Sequence, residues 1–342
     1  MKLTRITVAM LALVAVAGLA LVAQQTTTAG AGMVTAAQKF LGTLSGEQKK
    51  QATFDYDDKE RTNWYFTPRQ DNATKKATRK GVPLEAMSPA QKKAALDLVK
   101  SGTSESGHVA AVTIMSLEAI LAEQEKKGLM IRNPEWYFFT VFGTPSKTGK
   151  WGWRVEGHHL SLNFTMDGAE VVASTPAFFG ANPAEIKGGP KKGHRTLAPA
   201  EDYARELFDS LDEDQKKIAH QSKNFPEPGE TTPAPKVGQP VGLSAAKLSE
   251  KQRNGLFGLL KSYTGRMPPE IGAIEYKAAT EGGLDNIFVA YSGDTTPGKG
   301  YTYRVHGPTF VVEFLNVQAD SAKNPANHIH SAWRRIKGDF GL

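Results

Sequence analysis

The chain has 342 residues, of which 40% are apolar and 23% charged, enough apolar matter for a real core and too much for wholesale disorder. Its formal net charge of +7 comes from lysines and arginines scattered among acidic residues, a pattern that fits solubility and argues against nucleic acid as a partner. With no cysteine there is neither a disulfide nor an acceptor for a lipid anchor, so stability must rest on the core, as suits a bacterial envelope or secreted protein better than a small extracellular module.

Met1-Lys-Leu-Thr-Arg5 is a short basic start, and Ile6 to Ala23 is a run of apolar and small residues with one Thr. Residues 1–23 therefore read as an export signal that sends the protein to the periplasm or the exterior. Cleavage near Ala20 to Ala23, or at Ala29-Gly-Ala31, is the preferred reading. Because the run approaches a bilayer span in length, the alternative is an uncleaved anchor, and this segment is the one membrane contact expected.

Residues 24–34 read as a flexible leader, and 35–197 and 198–342 as two α+β halves. Helical spacing begins near Thr35, and Ser45 in Leu44-Ser-Gly-Glu-Gln-Lys-Lys50 is placed to cap a helix. Trp64 to Pro68 reads as strand or loop and Arg69 to Lys80 as a solvated polar run. Ser88 followed by Pro89 is a helix start; that helix breaks between Gly102 and Gly107, and Val109 to Lys127 forms another that ends at Gly128. Trp136 to Phe142 reads as a strand. The Pro- and Gly-dense stretch from Ala169 to Leu197 reads as a long ordered loop, Pro199 to about His220 as one helix, and Phe225 to Pro240 as an exposed linker.

One stretch is written twice. Trp151-Gly-Trp-Arg-Val-Glu-Gly-His-His-Leu-Ser-Leu-Asn-Phe-Thr165 returns as Tyr301-Thr-Tyr-Arg-Val-His-Gly-Pro-Thr-Phe-Val-Val-Glu-Phe-Leu315. Both copies alternate apolar with polar residues and share a central glycine, Gly157 or Gly307, which predicts a hairpin in each. The two copies align without a gap from Gly143/Gly293 to Phe164/Phe314. Leu44 to Lys50 is echoed by Leu211 to Lys217, the Ser88 start by Ser249, and the strand before Gly143 by Asn286 to Ser292. The predicted fold is thus an internally duplicated α+β protein, each half made of helices followed by an antiparallel β-meander, in a pseudo-two-fold arrangement with helices on one face.

The chain resembles the DUF3500 family of exported proteins of unknown function. The resemblance rests on Arg154-Val-Glu-Gly-His-His-Leu-Ser-Leu-Asn-Phe164, Thr175-Pro-Ala-Phe-Phe-Gly-Ala-Asn-Pro183, Gly307-Pro-Thr-Phe-Val-Val-Glu-Phe314, Asn327-His-Ile-His-Ser-Ala-Trp333 and Gly338-Asp-Phe-Gly341. It spans nearly the whole chain after the leader and implies no activity or functional residue.

Histidines carry the chemistry that can be read. On an extended strand after Gly157, His158 would share a face with Leu160 and Leu162, and His159 a face with Ser161 and Asn163. His328 and His330, two apart, would point the same way. His159, His328 and His330, with His158 or Glu313 completing the set, are candidate ligands for Zn, Cu or non-haem Fe, since imidazole and carboxylate suit those ions. The bland alternative is a hydrogen-bonded polar edge. A second reading, a non-catalytic module for a small molecule or glycan, uses paired Arg154 and Arg304 with Asn163, Trp333 and Asp339; against it stand arginines stacked on aromatics and paired with Glu313 or Asp339. No nucleophile elbow, phosphate-binding glycine loop or His-Glu-x-x-His occurs.

Overall fold

The computed structural model describes residues 29–126 and 128–342. The export signal expected over residues 1–23 lies outside them. Residues 29–43 form the helix α1, so the flexible leader expected over 24–34 is helical from residue 29. Met33, Val34, Ala37 and Phe40 recur at three- and four-residue spacing and are buried, which ties this helix down.

Capping residues start the helices. At Ser45 the hydroxyl accepts from the Gln48 amide while the Gln48 carboxamide accepts from the Ser45 amide, opening α2 (Gly46–Ala52). The same reciprocal pair opens α3 (Pro89–Ser101) at Ser88 and Gln91, α6 (Glu213–Ala219) at Asp212 and Gln215, and α7 (Glu250–Thr264) at Ser249 and Gln252. These glutamines also bond one another: Gln91 Nε2 donates to Gln48 Oε1 at 2.8 Å, and Gln252 Nε2 to Gln215 Oε1 at 2.8 Å. Each cap therefore ties α2 to α3 and α6 to α7. The helices α4 (Glu105–Gln124), α5 (Ala198–Asp209) and α8 (Pro269–Thr280) complete the layer. The single helix expected from Pro199 to His220 is two, because Asp212 caps a fresh start after the turn at Ser210 and Leu211.

The strands are β1 (Thr53–Phe54), β2 (Val82–Pro83), β3 (Phe138–Gly143), β4 (Lys150–Gly157), β5 (Leu160–Asp167), β6 (Glu170–Ala173), β7 (Ala177–Ala181), β8 (Leu243–Ser244), β9 (Phe288–Gly293), β10 (Tyr301–His306), β11 (Phe310–Gln318) and β12 (His328–Arg335). They form one mixed 12-stranded sheet in the order β1-β3-β4-β5-β7-β12-β11-β10-β9-β8, with β2 on β3 and β6 on β5. Outward from the β7–β12 seam, one wing runs β5-β4-β3 and the other β11-β10-β9, each through antiparallel hairpins. Gly143 stands opposite Trp151 as Gly293 stands opposite Tyr301, and Arg154 opposite Asn163 as Arg304 opposite Glu313.

The segment expected as a loop between the halves contributes β7, at the centre of the sheet. Ala177-Phe-Phe-Gly-Ala181 is buried on both faces, so it shows no alternation to mark it as a strand. Pro176 and Pro183 flank it, where no ladder hydrogen bond is needed from their nitrogens.

The two faces of the sheet differ. On one, Trp153 stacks on Phe164 at 4.3 Å and Phe310 on Trp333 at 4.8 Å, within a core covered by helices. The other is polar and buried, covered by irregular segments around residues 55–80 and 221–240 and by the turn Asp339–Gly341. Buried charge must be paired, and it is: Arg154 with Glu60 at 2.6 Å and Glu156 at 3.3 Å, Arg304 with Glu313 at 3.3 Å, and Arg334 with Asp339 at 2.7 Å. No helix among the described residues is long and apolar enough to cross a membrane.

Candidate metal centre

Gly157 pairs with Leu160, so His158 and His159 are the two residues of the β4–β5 turn rather than strand residues. Strand alternation therefore does not govern where their rings go. His159 holds φ at +64°, a left-handed conformation that histidine tolerates better than most side chains. Its amide donates to Phe66 O at 2.9 Å and its carbonyl accepts from Gly180 N at 2.8 Å, so the turn is pinned on both sides.

The His159 ring passes over β7 at Gly180. A Cβ at that position would lie 2.7 Å from Ile329 O and 3.2 Å from His159 Cδ2, so only glycine leaves the ring its place. Gly180 stands opposite His330 in the β7–β12 ladder. His328 and His330 lie on the same side of β12, and the three imidazoles meet there. His159 Nε2 is 2.8 Å from His328 Nε2 and 3.1 Å from His330 Nε2, and one ligand nitrogen from each ring lies within 4.8 Å of the others.

The surroundings orient and dry this cluster. His330 Nδ1 lies 2.6 Å from Glu227 Oε2 and donates to it, which fixes the ring with Nε2 facing inward. Asn182 Nδ2 is 3.4 Å from His328 Nδ1. Phe66 and Phe178, stacked at 3.8 Å, wall the His330 ring at 5.2 and 5.8 Å. Burial, reinforced by the neighbouring histidines, pushes His159 well below the ordinary imidazole range and His328 down to about 3. Both rings are neutral at pH 7, the form that binds metal.

His158 and Glu313 stand outside the group of three. His158 stacks on His159 at 3.7 Å, but its Nδ1 is bonded to Glu118 of α4 and lies 3.3 Å from Arg132. Burial lowers the His158 pKa against the opposing pull of Glu118. Glu313 is occupied by Arg304. The residues of the second reading do not converge. Arg154 and Arg304 lie on strands five steps apart, roughly 24 Å at sheet spacing. Arg154 is held by Glu60 and Glu156; Arg304 is held by Glu313 and Val237 O and lies over the Phe225 ring. Asn163 donates to Pro176 O, Trp333 sits on the apolar face with its indole bonded to Glu275, and Asp339 is bonded to Arg334.

Glu227, Asn182 and Glu118 were not legible as site residues. Glu227 belongs to the stretch expected as a linker. That stretch is largely exposed, yet Glu230 caps the amides of Phe66 and Thr67, and Thr232 O accepts from Trp64 and Arg334. No local pattern marks a carboxylate whose partner lies 103 residues away.

Residues 26–342 match the family described as Protein of unknown function (DUF3500). No curated protein and no solved structure matches the chain.

Proposed function

The chain belongs to the DUF3500 family of proteins of unknown function, and within it we propose a transition-metal-binding protein whose ion is held by His159, His328 and His330. The observation that carries this reading is the convergence of three imidazole nitrogens, two from buried residues and one from a half-buried residue, with a carboxylate behind one of them. Nitrogens bound at about 2.0–2.1 Å around a tetrahedral ion sit roughly 3.3 Å apart; His159 Nε2 lies 2.8 and 3.1 Å from the other two, and the group as a whole, within 4.8 Å, would draw together on the ion. Asn182 Oδ1 is buried without a partner; a half-turn of that carboxamide lets it accept Nδ1–H from His328, which aims the His328 lone pair inward as well. Zn, Cu and non-haem Fe all accept such a donor set. Three imidazoles leave one position for water or substrate, as Lewis-acid catalysis requires.

Titration of the chelated, untagged protein with Zn²⁺ and Cu²⁺ tests this. One equivalent should bind, and alanine at His159, His328 or His330 should weaken binding by more than the roughly 10- to 100-fold expected of an outer partner. Absence of binding, or equal binding by the variants, overturns the proposal. The alternative, a binding module for a small molecule or glycan built on paired Arg154 and Arg304, has less support because each guanidinium already has its own partners.

The matched capping boxes, glutamine ties and hairpin registers support a further reading, that one helix-plus-meander unit was copied and that a pseudo-two-fold axis runs between β7 and β12. Superposing experimental Cα positions of residues 138–167 on 288–317 tests it; dissimilar paths would refute a copy. The basic start and apolar run at the N-terminus support export. Mass spectrometry of the secreted or periplasmic protein should find a terminus after Ala20 to Ala23 or after Ala31; a solely cytosolic chain contradicts it.

A further inference from the structure

Arg266 follows α7 in the turn to α8 and is 8% exposed, on the helix-covered side of the sheet, away from the histidines. The other buried arginines are answered: Arg61 by Phe340 O, Arg154 by Glu60, Arg205 by Glu201, Arg304 by Glu313 and Arg334 by Asp339. Among the described residues, the Arg266 guanidinium has neither a hydrogen bond nor an ion pair. Its central carbon lies 5.0 Å from the Phe179 ring centroid and 4.7 Å from that of Tyr263. Ring faces attract a cation but give its N–H groups no acceptor. Nor do the nearby phenols supply a negative charge, because burial pushes Tyr263 up to about 12 and Tyr303 well above the ordinary range.

The guanidinium lines a cavity of about 10 Å³, walled by Leu162, Phe164 and Trp333 and carrying the hydroxyls of Thr103 and Ser174. Thr103 spends its proton on Val99 O. Ser174 reaches only the Met267 sulfur at 3.5 Å, a weak acceptor, so its proton can be redirected. The cavity thus holds one charged donor and one hydroxyl donor and no competing carboxylate, and its volume is the least that admits one water, so a halide enters as the flexible Met267 side chain gives a little. A divalent oxyanion is too large, and one guanidinium leaves half its charge unanswered in an apolar wall. We propose that Arg266 and Ser174 bind a single halide-sized monovalent anion, chloride in the natural setting.

Thermal unfolding of the full chain, with chelator present so that the metal site is silent, tests this at constant ionic strength. Replacing sodium gluconate with sodium chloride or bromide should raise Tm saturably, because the anion binds only the folded state. The rise should vanish in Arg266→Met and shrink in Ser174→Ala. Bromide-soaked crystals of the unaltered protein, which need no variant to fold, should show an anomalous peak beside Arg266. Equal melting in chloride and gluconate, a chloride effect unchanged in the variants, or no bromide peak overturns the assignment.

Discussion

At the scale of single residues, the polar face depends on partners that cannot be removed singly. Arg334 and Asp339 are both fully buried, and Arg334 also donates to Gly229 O and Thr232 O. Asp339→Ala would strand a guanidinium inside the protein and should cost about 3–5 kcal/mol in urea unfolding, as breaking a buried pair does; a loss under 1 kcal/mol would contradict the pairing. The histidines set a pH dependence of defined sign. His328 stays neutral in the folded chain until about pH 3, while in the unfolded chain it protonates near 6.5. The unfolded state therefore holds more protons below 6.5, and stability is lost as pH falls through that range. The slope from each such ring is at most about 1.4 kcal/mol per pH unit. Urea unfolding of chelated protein from pH 7.5 to 4.5 should be less pH-dependent in His328→Asn than in the unaltered chain, and equal slopes would contradict a neutral His328. At the proposed metal site, Glu227→Gln should weaken binding roughly 10- to 100-fold without abolishing it.

At the scale of elements, what could be read from the sequence was what is local. Ser45, Ser88 and Ser249 announce their helices because a cap and its third residue lie within one turn, and the structure places all three in that role. Ser88→Ala should cost about 1 kcal/mol in denaturant unfolding. The hairpins around Gly157 and Gly307 were legible by alternation, and the paired strands β4–β5 and β10–β11 stand where it put them. What was not legible is decided by distant contacts: β7 lacks a period because both its faces are buried, and residues 225–240 look like a linker because their partners, Phe66, Trp64, His330 and Arg334, lie elsewhere in the chain. The seam between β7 and β12 can be probed at its one obligatory gap. Gly180→Ala places a methyl against Ile329 O and the His159 ring, so it should destabilise by about 1–3 kcal/mol and weaken metal binding as well; an unchanged Tm and affinity would show that the ring does not occupy that space.

For the whole molecule, one sheet does what neither series of strands does separately. His159 comes from a turn beside β5 and His328 and His330 from a strand more than 160 residues later, and main-chain pairing of β12 with β7 sets them together. Sequence reading could name all three imidazoles, from the histidine turn and the His-x-His spacing, but not the carboxylate and amide that orient them. The most direct measurement is X-ray absorption on the untagged protein loaded with one equivalent of Zn²⁺. Three imidazole nitrogens at about 2.0–2.1 Å, reduced in number when His330 is replaced by alanine, are the predicted result; an ion surrounded by oxygen alone, or by imidazoles unaffected by that replacement, would contradict it.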